Sequence, residues 1–585
     1  MIIGYILTAA EACSFAGFLI ALFLFRNEVR EVIRPCTDRL TIALLALIIA
    51  YFLIFSLLYV SPVEQLYFDE NIYQGIAVNI LSSGSSLWCL FGSGYLHQCY
   101  VQAVYHDPVG WSFFIAIAFA LFGISTNTAF AMELLAGSLS ILAVFLVSSA
   151  LFKSRRISLI SAFSLALLPG VITWSRTQAS VDLPFMLFTL ISLFFLAVFA
   201  ERRSNKTFLL AVLSLVMVIY LRIEAILLLP VFFAAYFILG SGSIKENIVQ
   251  KAGYLKRSLL GDEKFLLIVL ALVMLLAPQI YYIHYELQNP NYGQNSSPLF
   301  SLHTMHKNLI ENSSFLLGMS NFYPAIFNGI VTIASLLGIA YAVLQRKDNM
   351  MRPAVLSLGI LFLFYMLFYA SFYAGGANYG VDSRFMLELM PEIAIFSALG
   401  IEGTYRFISL SASLARRRRR ARTRKQQKAG AMHAALYVLI VALFLLYPFS
   451  TTLGQITQKP QTMPQEYQPY SATEFIYNNY EAVPSNCLVF SFTPEMWYDL
   501  GRSSASISYI YAGADNQTIR NYISSYSCFD FDYGYWCSVP GTSSTCSSIM
   551  HKYSLTQLAT QTTSEGKTFA IYRINNYSIG NSNAT

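Results

Sequence analysis

Long, nearly uncharged apolar runs dominate this chain and decide what it can become. Stretches of roughly 15–25 apolar residues recur along the first 450 positions, starting with "MIIGYILTAAEACSFAGFLIALFLF". Each is long enough to cross a hydrocarbon core of about 30 Å as a helix. Inside such a core every backbone group must be bonded internally, so spanning segments are helical unless a barrel closes. With 56% hydrophobic and 12% charged residues among 585, the chain is too apolar for an ordinary soluble fold. The first run has no basic residues before it, which reads as a retained span rather than a signal peptide.

Spans are expected near 2–25, 40–60, 127–152, 157–174, 183–200, 207–221, 225–239, 265–283, 324–344, 353–373, 390–409 and 432–450. Alternate loops then collect the basic residues: Arg26 to Arg39, "KSRR" 153–156, "ERRSNK" 201–206, Lys245 to Lys264, "QRKDNMMR" 345–352 and "RRRRRARTRK" 416–425. By the positive-inside rule these face the cytoplasm, which places both termini outside. The net charge of +7 is therefore an orientation signal, with the arginine run near anionic membrane lipids, and it implies no nucleic-acid partner. One block, "WSFFIAIAFALFG" at 111–123, is short and would upset the alternation. Residues 107–124 are accordingly expected as a helix lying at the outer interface or dipping partway in.

The expected architecture is an all-α polytopic membrane domain of about 12 transmembrane helices over residues 1–450. Its first long outer loop, 61–126, carries juxtamembrane helices. A small extracytoplasmic α/β domain is expected over 451–585, from the helical pattern of "SATEFIYNNY" and the strand patterns of "CLVFSF" and "TFAIYRI". Of eight cysteines, Cys89 and Cys99 fall in the outer loop and Cys487, Cys528, Cys537 and Cys546 in the tail. These six are disulfide candidates, the four in the tail allowing three connectivities. Asn-x-Ser/Thr sites stand at Asn205, Asn295, Asn312, Asn516, Asn576 and Asn583.

Chemistry concentrates on the outer side. Before the tail, the outer loops hold four basic residues, Arg176, Arg222, Lys307 and Arg384. Each arginine has carboxylates close in sequence: Asp182 after Arg176, Glu224 beside Arg222, Asp382 and Glu388 around Arg384. "QLYFDENIYQGIAVNIL" adds adjacent Asp69 and Glu70, and "YHDPVGW" adds His106 and Asp107. Charges at membrane depth are costly and usually face a cavity or one another. Guanidinium forks suit phosphate oxygens, and carboxylates suit a general base or an oxygen-bound divalent cation. Asp69–Glu70 could otherwise be an acidic helix start, Arg222–Glu224 a structural ion pair, and Asp182 a helix cap.

The ordered motifs "YFDENIYQGIAVNIL", "HDPVGWSFFIAIAFALFG", "WSRTQASVDLP", "YLRIEAILLLP" and "SRFMLELMP" resemble the GT-C superfamily of integral-membrane glycosyltransferases. The likeness covers roughly residues 40–410. It is similar to the branch holding protein O-mannosyltransferases and bacterial aminoarabinose transferases, although this chain has an extra first span and reads His-Asp-Pro where His-Pro-Pro is common. The resemblance implies a sugar donor linked to polyprenyl or dolichyl phosphate, and transfer with inversion to an acceptor hydroxyl on the extracytoplasmic side. A protein, a glycolipid or a lipid-linked glycan could each be that acceptor. Asp69 would be the catalytic base, and Glu70, also in the catalytic set, would orient Asp69 or the acceptor. Arg176, Arg222 and Arg384 would hold the donor phosphate. His106, Asp182 and Glu224 would assist, with a divalent metal ion (Mg, Mn or Zn) between Asp69 and Asp182 as a further option. The expected location is an archaeal or bacterial plasma membrane, or the ER membrane in a eukaryote. Two other classes stay open, a membrane transporter and a non-catalytic assembly protein of a lipid-linked glycan pathway.

Overall fold

The computed structural model describes residues 2–60, 62, 68–93, 98–104, 108–177, 179–240, 244–288, 300–320, 326–345, 351–373, 375–377, 382–418, 426–457, 468–511, 517–538, 542–562 and 566–577. His106 and the sequons at Asn295, Asn516 and Asn583 lie outside the described residues.

Each of the twelve expected segments forms helix, but they are not twelve equal spans. Among the described residues, seven helices are individually long and apolar enough to cross a membrane: Ile2–Leu24, Arg39–Tyr59, Thr126–Phe152, Asp182–Arg202, Glu263–Tyr285, Met351–Ser371 and Met432–Ile456. An eighth is a pair, Arg155–Leu167 and Pro169–Thr177, bent by 54° where Pro169 interrupts the run. The segments 207–221, 225–239 and 324–344 give shorter apolar helices. Helix starts follow local chemistry. Asp38 Oδ1 accepts from Thr41 N at 2.8 Å, and Ser204 and Thr207 form a reciprocal capping box.

The 107–124 block forms one helix as expected, within the bundle. Its helix, Val109–Phe122, is enclosed by other helices rather than lying on a surface: Phe114 packs edge-on to Phe15 at 5.0 Å and stacks on Phe188 at 4.9 Å. The physical reason is in the sequence. Apolar residues surround this helix on all sides, so no face favours water.

Basic loops converge at one end of the bundle. Lys153 pairs with Glu201 at 2.7 Å, Arg202 with Glu31 at 2.8 Å and Lys206 with Glu28 at 3.4 Å, while Arg155 pairs with Asp38. The carboxylate–arginine groups flagged above lie at the opposite helix ends, a separation the 27-residue Thr126–Phe152 helix spans with about 40 Å.

A seven-stranded sheet completes the fold, in the order β2-β1-β4-β3-β5-β7-β6. Its strands are β1 Trp88–Ser93, β2 Gln98–Ala103, β3 Cys487–Ser491, β4 Ser503–Ser506, β5 Cys528–Tyr533, β6 Leu555–Thr562 and β7 Thr568–Ile574. Central β3 runs parallel to β4 and β5, and the other pairings are antiparallel. The 61–126 loop therefore contributes two strands to the tail's sheet: Phe91 pairs with Ala505 and Gly92 with Ser504. Disulfides join Cys89–Cys99 in the β1–β2 hairpin, Cys487–Cys528 across β3 and β5, and Cys537–Cys546. Asn312 is fully buried; its Nδ2 donates to Gly375 O at 3.1 Å and its Oδ1 accepts from Ala377 N at 2.7 Å. That amide ties down a loop and is not available to carry a glycan.

Candidate active site

The acidic pair stands in the first turn of helix Phe68–Ser83, where the helix dipole favours carboxylates. Asp69 is partly open, whereas Glu70 is buried. Asp69 Oδ2 accepts from Arg384 Nη1 at 2.8 Å, with 23% and 17% of the two side chains exposed. Arg384 belongs to a 3-10 turn, Asp382–Leu389, which leads directly into helix Met390–Arg418.

Arg222 has a different environment. It sits where helix Asn205–Leu221 ends and the 3-10 turn Ile223–Leu227 begins, with 6% of its side chain exposed. Three carboxylates surround it: Asp182, Glu224 at 3.2 Å and Glu388 at 2.9 Å. Nη1 also donates to Tyr369 Oη at 2.9 Å. Phe185 and Phe385 flank the guanidinium at 5.1 and 5.2 Å from their ring centroids. Phe385 also lies 5.2 Å from the Arg384 guanidinium, so one ring serves both cations. Burial pushes the Glu388 carboxyl up to about 8, with the Arg222 charge pulling it back. Removing one member of such a buried set costs on the order of 3–5 kcal/mol, because its partners stay behind uncompensated.

Arg176 ends helix Pro169–Thr177, which packs against the Arg384 turn. Its Nε is buried and makes no hydrogen bond among the described residues. Among the described residues no carboxylate pairs with this cation. Among the described residues Lys307 pairs only with Glu311, at 3.7 Å, with its own side chain exposed.

One participant escaped the sequence reading. Glu133, in helix Thr126–Phe152, is 1% exposed and faces the charges of Asp182 and Glu70. It accepts from the backbone N–H of Leu183 in the first turn of helix Asp182–Arg202, while its Oε2 has no partner among the described residues. Carboxyl groups from three helices thus gather behind the Asp69–Arg384 pair. The available signal was a lone carboxylate in an otherwise apolar span, seven residues past Thr126. A narrow cleft lined by Met186, Thr189, Tyr365, Glu388 and Glu392 adjoins the Arg222 set.

The described geometry does not form a metal set. Asp69 is committed to Arg384 and Asp182 to Arg222, and among the described residues there is no group of three or more His, Cys, Asp or Glu that could hold an ion.

Residues 106–282 match the dolichyl-phosphate-mannose-protein mannosyltransferase family. No curated protein matches the chain in sequence. Among solved structures, ArnT from Cupriavidus metallidurans in the apo state matches with a TM-score of 0.53 at 11% identity, covering 91% of this chain and 97% of that one. The same protein bound to undecaprenyl phosphate gives 0.54 at 11%, covering 92% and 98%. The apo oligosaccharyltransferase of Archaeoglobus fulgidus gives 0.50 at 12%, covering 91% and 74%. At these identities the likeness is one of fold, and it runs nearly the whole length of the chain. In fold, and in the family match within its helical bundle, the chain resembles the GT-C superfamily of integral-membrane glycosyltransferases.

Proposed function

We propose that this protein is a glycosyltransferase that moves a sugar from a polyprenyl- or dolichyl-phosphate carrier to an acceptor hydroxyl on the extracytoplasmic side, inverting the anomeric centre. The observation that carries this reading is the Asp69–Arg384 pair, a partly open carboxylate held at 2.8 Å by a partly open guanidinium. The match to a mannosyltransferase family and the undecaprenyl phosphate bound by the structurally similar ArnT support the donor class.

Asp69 takes the proton of the acceptor hydroxyl as its oxygen attacks the anomeric carbon. The bond to the phosphate oxygen breaks in the same displacement, so charge grows on the leaving phosphate. Arg384, within reach of Asp69, and Arg176, free of carboxylates among the described residues, stabilise that charge. Arg222 has a separate role. Its guanidinium is neutralised by Asp182 and Glu224 and also meets Glu388 at 2.9 Å, so it organises the helix ends around Phe385 instead of binding phosphate. Glu70, buried beside Asp69 in the same first helical turn, orients the Asp69 carboxylate.

The test is transfer of radiolabelled sugar from a panel of polyprenyl-phosphate sugars by the purified full-length protein in nanodiscs, with membrane extract as acceptor. Wild type should transfer one or more sugars, and Asp69→Asn should lose at least about a hundredfold in rate while remaining folded. Equal rates would remove Asp69 as the base. No transfer from any donor would overturn the reading.

A further inference from the structure

The short helix Pro494–Asp499 stands between two cores. Trp497 is fully buried within the core of the C-terminal sheet, with Phe475, Val489 and Phe569. Its Nε1 donates to Asp532 Oδ2 at 3.0 Å, an oxygen that also accepts from Ser491 Oγ at 2.7 Å. Tyr498, the next residue, is just as buried but belongs to the core of the helical bundle. No other described residue beyond 456 lies in that core. Neighbours on a helix point about 100° apart, so one turn can serve both sides.

This helix packs against Phe68–Ser83, the helix that opens with Asp69 and Glu70, and against β1. The contacts form a closed ring. The Asp69 helix leads into β1, β1 pairs with β4, and β4 follows the Trp497–Tyr498 helix, which returns to the Asp69 helix. A ring of this kind fixes the position of the Asp69 helix relative to the sheet at two separate points.

We propose that helix Pro494–Asp499 is a strut through which the C-terminal sheet positions the Asp69 carboxylate, with Trp497 and Tyr498 as its positioning residues. The catalytic part of this inference rests on the transferase reading; the mechanical part stands on the packing alone. A displacement of about 1 Å at a reacting group can cost on the order of a hundredfold in rate, so a strut of this kind acts on turnover without touching substrate.

The test compares wild type, Tyr498→Ala and Tyr498→Phe as full-length proteins in nanodiscs. Hydrogen exchange is read along the Asp69 helix and along β3, β5 and β7. Sugar transfer is read as kcat and donor KM. In Tyr498→Ala, exchange should rise about tenfold or more over Phe68–Ser83, while the three strands keep their protection. In the same variant kcat should fall about tenfold or more with donor KM within about twofold. Tyr498→Phe, which keeps the ring, should restore both. Unchanged exchange over Phe68–Ser83 in Tyr498→Ala would overturn the strut. So would a loss of protection spread evenly over helix and strands, since that is general destabilisation. If wild type transfers no sugar, the transferase reading fails and the exchange pattern still decides the strut.

Discussion

Arg384 and Asp69 meet at 2.8 Å although 315 residues of sequence separate them, and each keeps a share of its side chain open. A pair placed this way should act as one unit. Asp69→Asn and Arg384→Gln are each expected to lower kcat/KM by about a hundredfold or more, and the double variant to be little worse than the weaker single. Single-turnover rates of the three variants check this. Fully additive losses would show that the two side chains serve separate steps.

Glu388 supplies a pH dependence with a definite sign. Its carboxyl is pushed up to about 8 by burial, against about 4.3 in an unfolded chain. The folded protein therefore keeps a proton that the unfolded chain releases. The stability linked to that proton is complete below about pH 4 and is lost as pH rises through about 8. Thermal unfolding in nanodiscs should show wild type losing a few degrees between about pH 6 and pH 9, with Glu388→Gln falling less. Parallel slopes would assign the titration to another group.

Glu133 separates hydrogen bonding from charge. Glu133→Gln keeps an acceptor for the Leu183 N–H and removes the ionisable carboxyl that faces Asp182 and Glu70. Its melting temperature should equal or exceed that of wild type. Glu133→Leu leaves the N–H buried without its acceptor and should cost about 1–3 kcal/mol. If Gln is as damaging as Leu, the charge and not the hydrogen bond holds the helix start.

Gly338 and Gly400 let two helices touch backbone to backbone. A Cβ at Gly338 would stand 1.9 Å from Phe396 O, and one at Gly400 would stand 1.9 Å from Ala334 O. Small residues at such crossings are how membrane helices approach closely. Gly338→Ala should destabilise by about 1–3 kcal/mol, read as a lower melting temperature. It should also slow turnover, because helix Met390–Arg418 continues from the turn that carries Arg384 and Glu388.

Much of this arrangement was legible from residues alone, for identifiable reasons. Apolar runs mark helices wherever they are long, and carboxylates flanking Arg222 and Arg384 mark helix ends that must neutralise one another. What stayed hidden depended on distant partners. Nothing near Glu133 in sequence announces Leu183 or Asp182, since its neighbours are apolar. Nothing in "WCLFGS" names β4 as its partner, because strand pairing carries no local signature across so long an interval. The enclosure of Val109–Phe122 by other helices follows from its uniformly apolar surface, which its shortness does not announce.

The pairing of Phe91 with Ala505 also sets an order of events. As the ribosome delivers the chain, the hairpin that follows the Asp69 helix emerges early and then waits about four hundred residues for its neighbour strand. Through that interval the acidic helix has neither its sheet edge nor the Trp497–Tyr498 support. Assembly of the reactive corner is therefore among the last acts of folding, and a chain interrupted before β4 carries every carboxylate and arginine of the site without the frame that brings them into register.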